Sequence, residues 1–128
     1  MIDHFGFPVR DYQRSRAFYD LVLAPLGYSV QMEVTREMTG SNAHCGYGED
    51  GRPQFWIGDG EAREGSFHIA FVAKSRKAVE DFHAAALAAG ARDNGAPGIR
   101  AHYHPNYYAA FVLDPDGHNI EAVCHLPG

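Results

Sequence analysis

The sequence has few cysteines, no long apolar run and no cluster of basic residues. Cys45 and Cys124 show no CxxC pair and no repeated spacing, which favours a reducing cytoplasm. No stretch approaches the roughly 18 apolar residues of a membrane span, and the early charges near the N-terminus do not fit a signal peptide. The net charge of −5 disfavours nucleic acid as a partner. A soluble, cytoplasmic protein is therefore expected.

An internal repeat is the main organising feature of the 128 residues. The stretch 3–28 matches the stretch 67–91, with His4 aligned on His68 at an offset of 68 − 4 = 64. Phenylalanine and leucine positions follow at the same offset, and each copy ends at a glycine. Each copy predicts a short apolar strand, a turn and an amphipathic helix.

Helix ends and buried stripes can be read from both copies. Asp11 and Ser75 are placed to cap the two helices, and Gly27 and Gly90 to end them. The predicted buried stripes are Phe18, Leu21 and Val22 in the first helix, and Val79, Phe82, Ala86 and Ala89 in the second.

Three strand-like runs follow each helix. They are Tyr28–Val34, a polar stretch near Thr39–Ala43 and Gln54–Ile57 in the first copy, and Ile99–Tyr103, Tyr107–Leu113 and Asn119–Cys124 in the second. An Asp-Gly turn precedes the last strand of each copy. The fold predicted is α+β, one domain of two βαβββ modules, 1–60 and 65–126, joined by the glycine-rich linker Gly58–Gly65.

Strand alternation places His4, His68 and Glu121 on equivalent faces of three strands, opposite the helices. Two imidazoles and a carboxylate suit Fe, Mn, Zn, Ni or Co, with open positions for a substrate. Each histidine taken alone is also typical of an exposed or hydrogen-bonded residue, whereas an unpaired Glu121 in an apolar strand is costly to bury. The repeat symmetry favours a shared metal ion. His118 is expected to be solvated, and His83 to lie on the polar side of its helix.

The chain resembles the vicinal oxygen chelate superfamily, which includes glyoxalase I, fosfomycin-resistance proteins, bleomycin-resistance proteins and extradiol dioxygenases. The resemblance rests on DHFGFPVRD, FHIAFVA and AFVLDPDGHNIEAV, and it spans nearly the whole chain. It implies a cup-like mixed sheet, a metal held by His4, His68 and Glu121, and a homodimer. One chain completes the cup, or two chains exchange modules so that His4 serves the partner's site.

The fourth metal ligand of glyoxalase I-like members has no counterpart here. That ligand is a carboxylate on the last strand of the first module, where this chain reads Pro53–Ile57. Offsets of 64 and 66 place Ile57 or Phe55 opposite Glu121, and neither side chain binds metal; Gln54 is a weak substitute. The resemblance therefore favours the three-ligand pattern of fosfomycin-resistance proteins and extradiol dioxygenases.

The remaining candidate residues surround this predicted site. Tyr107 shares a strand face with Phe111 and is expected to donate a hydrogen bond to an oxyanion, or else to be an aromatic wall. The predicted substrate pocket comprises Phe55, Trp56, Tyr103 and Phe111.

Two functions follow from these residues. The first is a divalent-metal-dependent enzyme acting on a small oxygen-chelating substrate, by lyase or isomerase chemistry, thiol transfer or ring-cleaving dioxygenation, with Glu121 and Tyr107 as catalytic residues. The second is a metal-free protein of the bleomycin-resistance type that sequesters a planar small molecule on its aromatic side chains.

Overall fold

Each half of the chain forms the predicted βαβββ unit. The computed structural model describes residues 2–40, 42–62 and 67–128. The first unit contains β1 (Phe5–Val9), α1 (Tyr12–Leu23), β2 (Ser29–Val34), the short helix α2 (Arg36–Thr39), β3 (His44–Glu49) and β4 (Arg52–Asp59). The second contains β5 (His68–Val72), α3 (Arg76–Ala88), β6 (Arg92–Ile99), β7 (Tyr108–Leu113) and β8 (Asn119–Cys124).

The strands form two four-stranded sheets of the same topology, ordered β1-β4-β3-β2 and β5-β8-β7-β6. In each sheet the first strand is parallel to the last, and the other pairings are antiparallel. The α+β fold of two mixed sheets predicted from the repeat is therefore confirmed. Part of the predicted linker, at 63–65, lies outside the described residues.

Both long helices begin at their predicted caps. The Asp11 carboxylate accepts from the Arg14 backbone N–H at 3.1 Å, and the Ser75 hydroxyl accepts from that of Ala78 at 3.0 Å. These oxygens satisfy N–H groups that have no partner within the first helical turn. Gly27 has a φ of 88°, a left-handed conformation that glycine adopts without strain. None of the described helices is long and apolar enough to cross a membrane.

The buried helix faces differ from the predicted stripes at two positions. Leu21 is 57% exposed, and Ala89 lies exposed at the end of α3. In α1 the buried face includes Tyr19, whose hydroxyl donates to the Asp114 carboxylate of the second unit at 2.6 Å. The buried face of α1 includes both Phe18 and Tyr19. Leu21 lies outside this face and is exposed to solvent.

Two predicted strands are wrong. The stretch near Thr39–Ala43 starts at the last residue of α2, a helix capped by the Thr35 hydroxyl, and the strand begins only at His44. The run Ile99–Tyr103 is mostly a turn, and the strand is the preceding Arg92–Ile99. Both true strands were missed because they contain glycines, and β6 also contains a proline. An edge strand such as β6 tolerates proline because one side of its backbone has no ladder to complete.

The two units share one hydrophobic core. The rings of Phe7 and Phe67 stack with centroids 5.4 Å apart, and those of Phe55 and Phe71 meet edge to face at 5.2 Å. Helices α1 and α3 also contact each other. Because the helix-facing sides of both sheets meet in this core, the opposite sheet faces lie on its outside.

Two histidines that were expected in solvent are buried. His118 is fully buried between Phe7 and Phe67, with ring centroids 4.7 and 5.1 Å away. His83 is 9% exposed, and its Nε2 lies 3.0 Å from the Asp93 carboxylate. The compact turn that starts at Asp114 explains the first case, because the Asp114 carboxylate accepts the His118 backbone N–H at 2.8 Å and holds the ring under β1.

Candidate functional site

The outer face of the second sheet carries the predicted ligands His68 and Glu121. In the parallel β5–β8 pair Ala70 lies opposite Glu121, and His68 stands two residues before Ala70 on the same face. In the β7–β8 pair Phe111 lies opposite Glu121. Three adjacent strands thus bring an imidazole, a carboxylate and an aromatic ring to one surface.

His68 and Glu121 point two acceptor atoms at each other. His68 Nε2 lies 3.2 Å from Glu121 Oε1, and His68 Nδ1 lies 3.0 Å from the backbone carbonyl oxygen of Asn119. A carbonyl only accepts, so Nδ1 carries the proton, and in the neutral ring Nε2 presents a lone pair to the carboxylate. Such a pair requires a shared cation, either a proton on Nε2 or a metal ion. Sequence reasoning did not identify Asn119, although its place opposite His68 follows from parallel strand pairing.

Tyr107 orients the carboxylate from the other side. Its hydroxyl donates to Glu121 Oε2, and Glu121 is only 2% exposed. Burial, together with this hydrogen bond, raises the pKa of Tyr107 to about 12, so the phenol keeps its proton at neutral pH. Tyr107 therefore acts as a hydrogen-bond donor, and its acceptor in this structure is Glu121.

Two of the four predicted pocket residues border this group. The Phe111 ring lies nearly parallel to that of His68, with centroids 6.3 Å apart and an interplanar angle of 22°. Tyr103 is 64% exposed on the turn before β7, and its ring lies 5.0 Å from that of Tyr107. These rings flank the His68–Glu121 pair with apolar surface.

His4 immediately precedes β1 of the other sheet, apart from the rest of the predicted triad. Its side chain is 61% exposed, and its Nδ1 lies 2.7 Å from the Asp3 carboxylate. It lines an open cavity of about 1070 Å³ on the outer face of the first sheet, together with His44, Gln54 and Trp56. Within residues 2–40, 42–62 and 67–128, no three His, Cys, Asp or Glu side chains come together as a metal site.

The first-unit counterpart of Glu121 is Trp56. Gly6 pairs with Trp56 just as Ala70 pairs with Glu121, so the offset between the last strands is 121 − 56 = 65. The predicted offsets of 64 and 66, which place Ile57 or Phe55 opposite Glu121, are therefore each wrong by one residue. An indole does not bind metal, so the first unit supplies no carboxylate at this position.

Phe55 does not line the pocket. Its side chain is 2% exposed and meets the Tyr19 ring edge to face at 4.9 Å, on the helix side of the sheet. Strand alternation explains the correction, because Phe55 and Trp56 are consecutive and must point to opposite faces.

Trp56 packs its indole against Gly46 and its backbone and Cβ against Gly6. A Cβ added to Gly46 would lie 2.7 Å from the indole Cε2, and one added to Gly6 would lie 2.7 Å from the Trp56 Cβ. Neither position therefore accepts a side chain without moving Trp56. The His44 ring lies beside the indole, with centroids 5.5 Å apart.

Removing the Tyr107 hydroxyl tests its role in orienting Glu121. Tyr107→Phe leaves Glu121 Oε2 without its donor, and loss of a partner that orients a ligand typically weakens metal binding by about 10- to 100-fold. We expect that weakening in titrations with Mn(II). Tyr103→Phe is the matched control and should bind as the wild type does. Equal affinity in wild type and Tyr107→Phe would contradict the role.

Comparisons with known proteins agree with the fold. The family model described as the glyoxalase/bleomycin resistance protein/dioxygenase superfamily matches residues 1–122. A glyoxalase/bleomycin resistance protein from Albidiferax ferrireducens T118 has a similar structure, with a TM-score of 0.76, 27% identity and coverage of 98% of both chains.

A family enzyme from Burkholderia phytofirmans PsJN has a TM-score of 0.69 at 23% identity, with 98% of both chains covered. The fosfomycin resistance protein FosX from Listeria monocytogenes, crystallised with Mn(II) and sulfate, has a TM-score of 0.68 at 17% identity, covering 97% of this chain and 91% of FosX. No curated protein matches significantly. By its sequence and its fold, the chain belongs to the glyoxalase/bleomycin resistance protein/dioxygenase superfamily.

Proposed function

We propose that this protein is a divalent-metal-dependent enzyme acting on a small substrate that chelates through two neighbouring oxygens. The metal would be held by His68 and Glu121 of one subunit and His4 of a second. One observation carries the proposal, namely the 3.2 Å approach of His68 Nε2 to Glu121 Oε1 with the Nδ1 proton directed at Asn119.

The distance between these two atoms fits a shared metal. Ligand bonds of about 2.1 Å at octahedral or tetrahedral angles separate neighbouring donor atoms by about 3.0 to 3.4 Å. A metal ion would also neutralise the buried Glu121 carboxylate, which is otherwise costly to hold away from water. Imidazole and carboxylate donors together suit Fe, Mn, Zn, Ni or Co.

A homodimer would supply the third ligand. The His4 face and the His68–Glu121 face both lie outside the shared core of one chain, so a second copy can bring its His4 to this chain's pair. A two-fold axis makes the exchange reciprocal and yields two equivalent sites. The His4 Nδ1–H is directed at Asp3, which leaves its Nε2 free to coordinate.

The chemistry is divided between the metal and the chain. When bound, the metal would act as a Lewis acid that stabilises negative charge on the chelated oxygens of the substrate. Glu121 would hold the cation, Tyr107 fixes the carboxylate and keeps its own proton, and Phe111 and Tyr103 would supply apolar surface beside the substrate. The donor set is compatible with lyase or isomerase chemistry, thiol transfer and ring-cleaving dioxygenation. We place the enzyme in the cytoplasm because Cys45 and Cys124 are buried free thiols.

The second candidate function is metal-free binding of a planar ligand. The Trp56 indole in the open cavity favours it, because Gly46 has no side chain that would displace the ring. Stacking on such a surface requires no cation.

Metal titration of the purified wild-type protein separates the two functions. Mn(II) is the first ion to use, because FosX, which shares the fold, was crystallised with it. We expect about one tightly bound ion per chain, and binding should release protons because the ligands must be deprotonated. Binding of less than about half an equivalent of each of Mn, Fe, Zn, Ni and Co would overturn the enzyme proposal in favour of the ligand-binding function.

A further inference from the structure

Arg100 lies on the same sheet face as the candidate metal ligands. It stands at the base of the β6–β7 hairpin, where its backbone N–H donates to the Tyr107 carbonyl at 2.7 Å. Ile99 pairs with Tyr108, so the next pair along the hairpin is Arg100 with Tyr107. Directly paired residues point to the same side of a sheet, and Tyr107 donates to Glu121 on that side.

The guanidinium group of Arg100 is held in place by the chain. Its Nη1 donates to the Gly98 carbonyl and its Nη2 to the Ala96 carbonyl, both at 2.8 Å. Its Cζ lies 5.4 Å from the centroid of the Phe111 ring, within the range of a cation–π contact. A Cβ on Gly95 would lie 3.1 Å from Arg100 Nη2, so the glycine leaves room for this conformation.

This cation has no anionic partner in the part of the chain that the structure describes. None of the described carboxylates forms an ion pair with Arg100, and its side chain is half-buried. Two of its five N–H groups donate to carbonyls, so three remain available. A fixed guanidinium with free N–H groups is suited to a carboxylate or phosphate-type group, which it binds through paired hydrogen bonds.

We propose that Arg100 determines substrate specificity by binding an anionic oxygen group of the substrate. This inference rests on the proposed function and defines its substrate class as small oxygen chelators carrying a carboxylate or phosphonate apart from the chelating oxygens. The Phe111 ring contacts both His68 and Arg100, so it lies under the body of a molecule that spans from the metal ligands to the guanidinium.

The test compares two probes that chelate in the same way. Catechol has two neighbouring oxygens, and 3,4-dihydroxybenzoate adds a carboxylate on the opposite side of the ring. Calorimetric titration of each into the Mn(II)-loaded protein without oxygen measures binding and involves no turnover. We expect the wild type to prefer 3,4-dihydroxybenzoate by about tenfold or more, as a charge-assisted bidentate contact implies.

Arg100→Gln should reduce that preference to about one by weakening the binding of 3,4-dihydroxybenzoate, with the Mn(II) stoichiometry unchanged. Arg92→Gln, which changes an exposed arginine on the same edge strand, should retain the preference. Equal affinities of the two probes for the wild type would overturn the inference without any variant. A preference that persists in Arg100→Gln would overturn it as well. If the wild type binds none of Mn, Fe, Zn, Ni and Co, the proposed function itself falls, and the inference falls with it.

Discussion

Glu121→Gln should abolish tight metal binding. The amide keeps the size and one oxygen of the carboxylate, but it removes the negative charge that a divalent ion needs in a site with only 2% exposure. We expect the affinity for Mn(II) to fall by more than about hundredfold, which exceeds the usual effect of losing a residue that merely orients a ligand. Titration with Mn(II), followed by calorimetry or by electron paramagnetic resonance of the free ion, measures the loss.

The same substitution should not unfold the protein. Tyr107 can still donate to the amide oxygen, and the metal-free form no longer buries a charge, so the free energy of unfolding should stay within about 1 kcal/mol of the wild type. Glu61→Gln, at an exposed position, is the matched control and should bind Mn(II) normally. A folded Glu121→Gln that binds Mn(II) as tightly as the wild type would show that the ligand set is wrong.

Mixing two variants that each lack tight Mn(II) binding should restore some metal sites if His4 binds the metal in the partner's site. His4→Ala alone and Glu121→Gln alone each lack every complete site. After random subunit exchange half of the dimers are hybrids, and each hybrid contains one site with intact His4, His68 and Glu121. About one quarter of all sites should therefore regain tight Mn(II) binding, a proportion that follows from two-fold symmetry.

A control mixture distinguishes restoration of Mn(II) sites by the partner's His4 from other effects of mixing the chains. His68→Ala and Glu121→Gln both damage the second unit, so no hybrid of these two chains contains an intact site. Mass spectrometry of differently tagged chains verifies that hybrids form in both mixtures. If hybrids of His4→Ala and Glu121→Gln form and bind no additional Mn(II), then His4 does not complete the partner's site.

Local patterns were sufficient for the two βαβββ units and for the sheet face that His68 and Glu121 share. The repeat predicted both βαβββ units, and the alternation of side chains placed His68 and Glu121 on one face with Tyr107 and Phe111 beside them. These predictions succeed because a strand's period of two is a property of the backbone alone. The capping residues were equally predictable, because their hydrogen bonds span only three residues.

Patterns that depend on partner strands were not predictable from local sequence. Because Gly6 pairs with Trp56, the counterpart of Glu121 in β4 is one residue away from either predicted position. A shift of one residue places a side chain on the opposite face of its strand. The edge strand β6 was missed because glycine and proline disfavour strands in general, while a sheet edge accepts them. The position of Arg100 depends on that strand and could not be assigned without it.

The sequence by itself determined that this chain folds as two βαβββ units and that an imidazole and a carboxylate share one sheet face. Only the tertiary structure decided that His4 lies apart from them, because Phe7 and Phe67 join the helix sides of the two sheets and leave both faces with predicted ligands on the outside. Side-chain alternation is local and repeats with the backbone, whereas the choice of which faces meet depends on apolar surfaces from residues far apart in the chain.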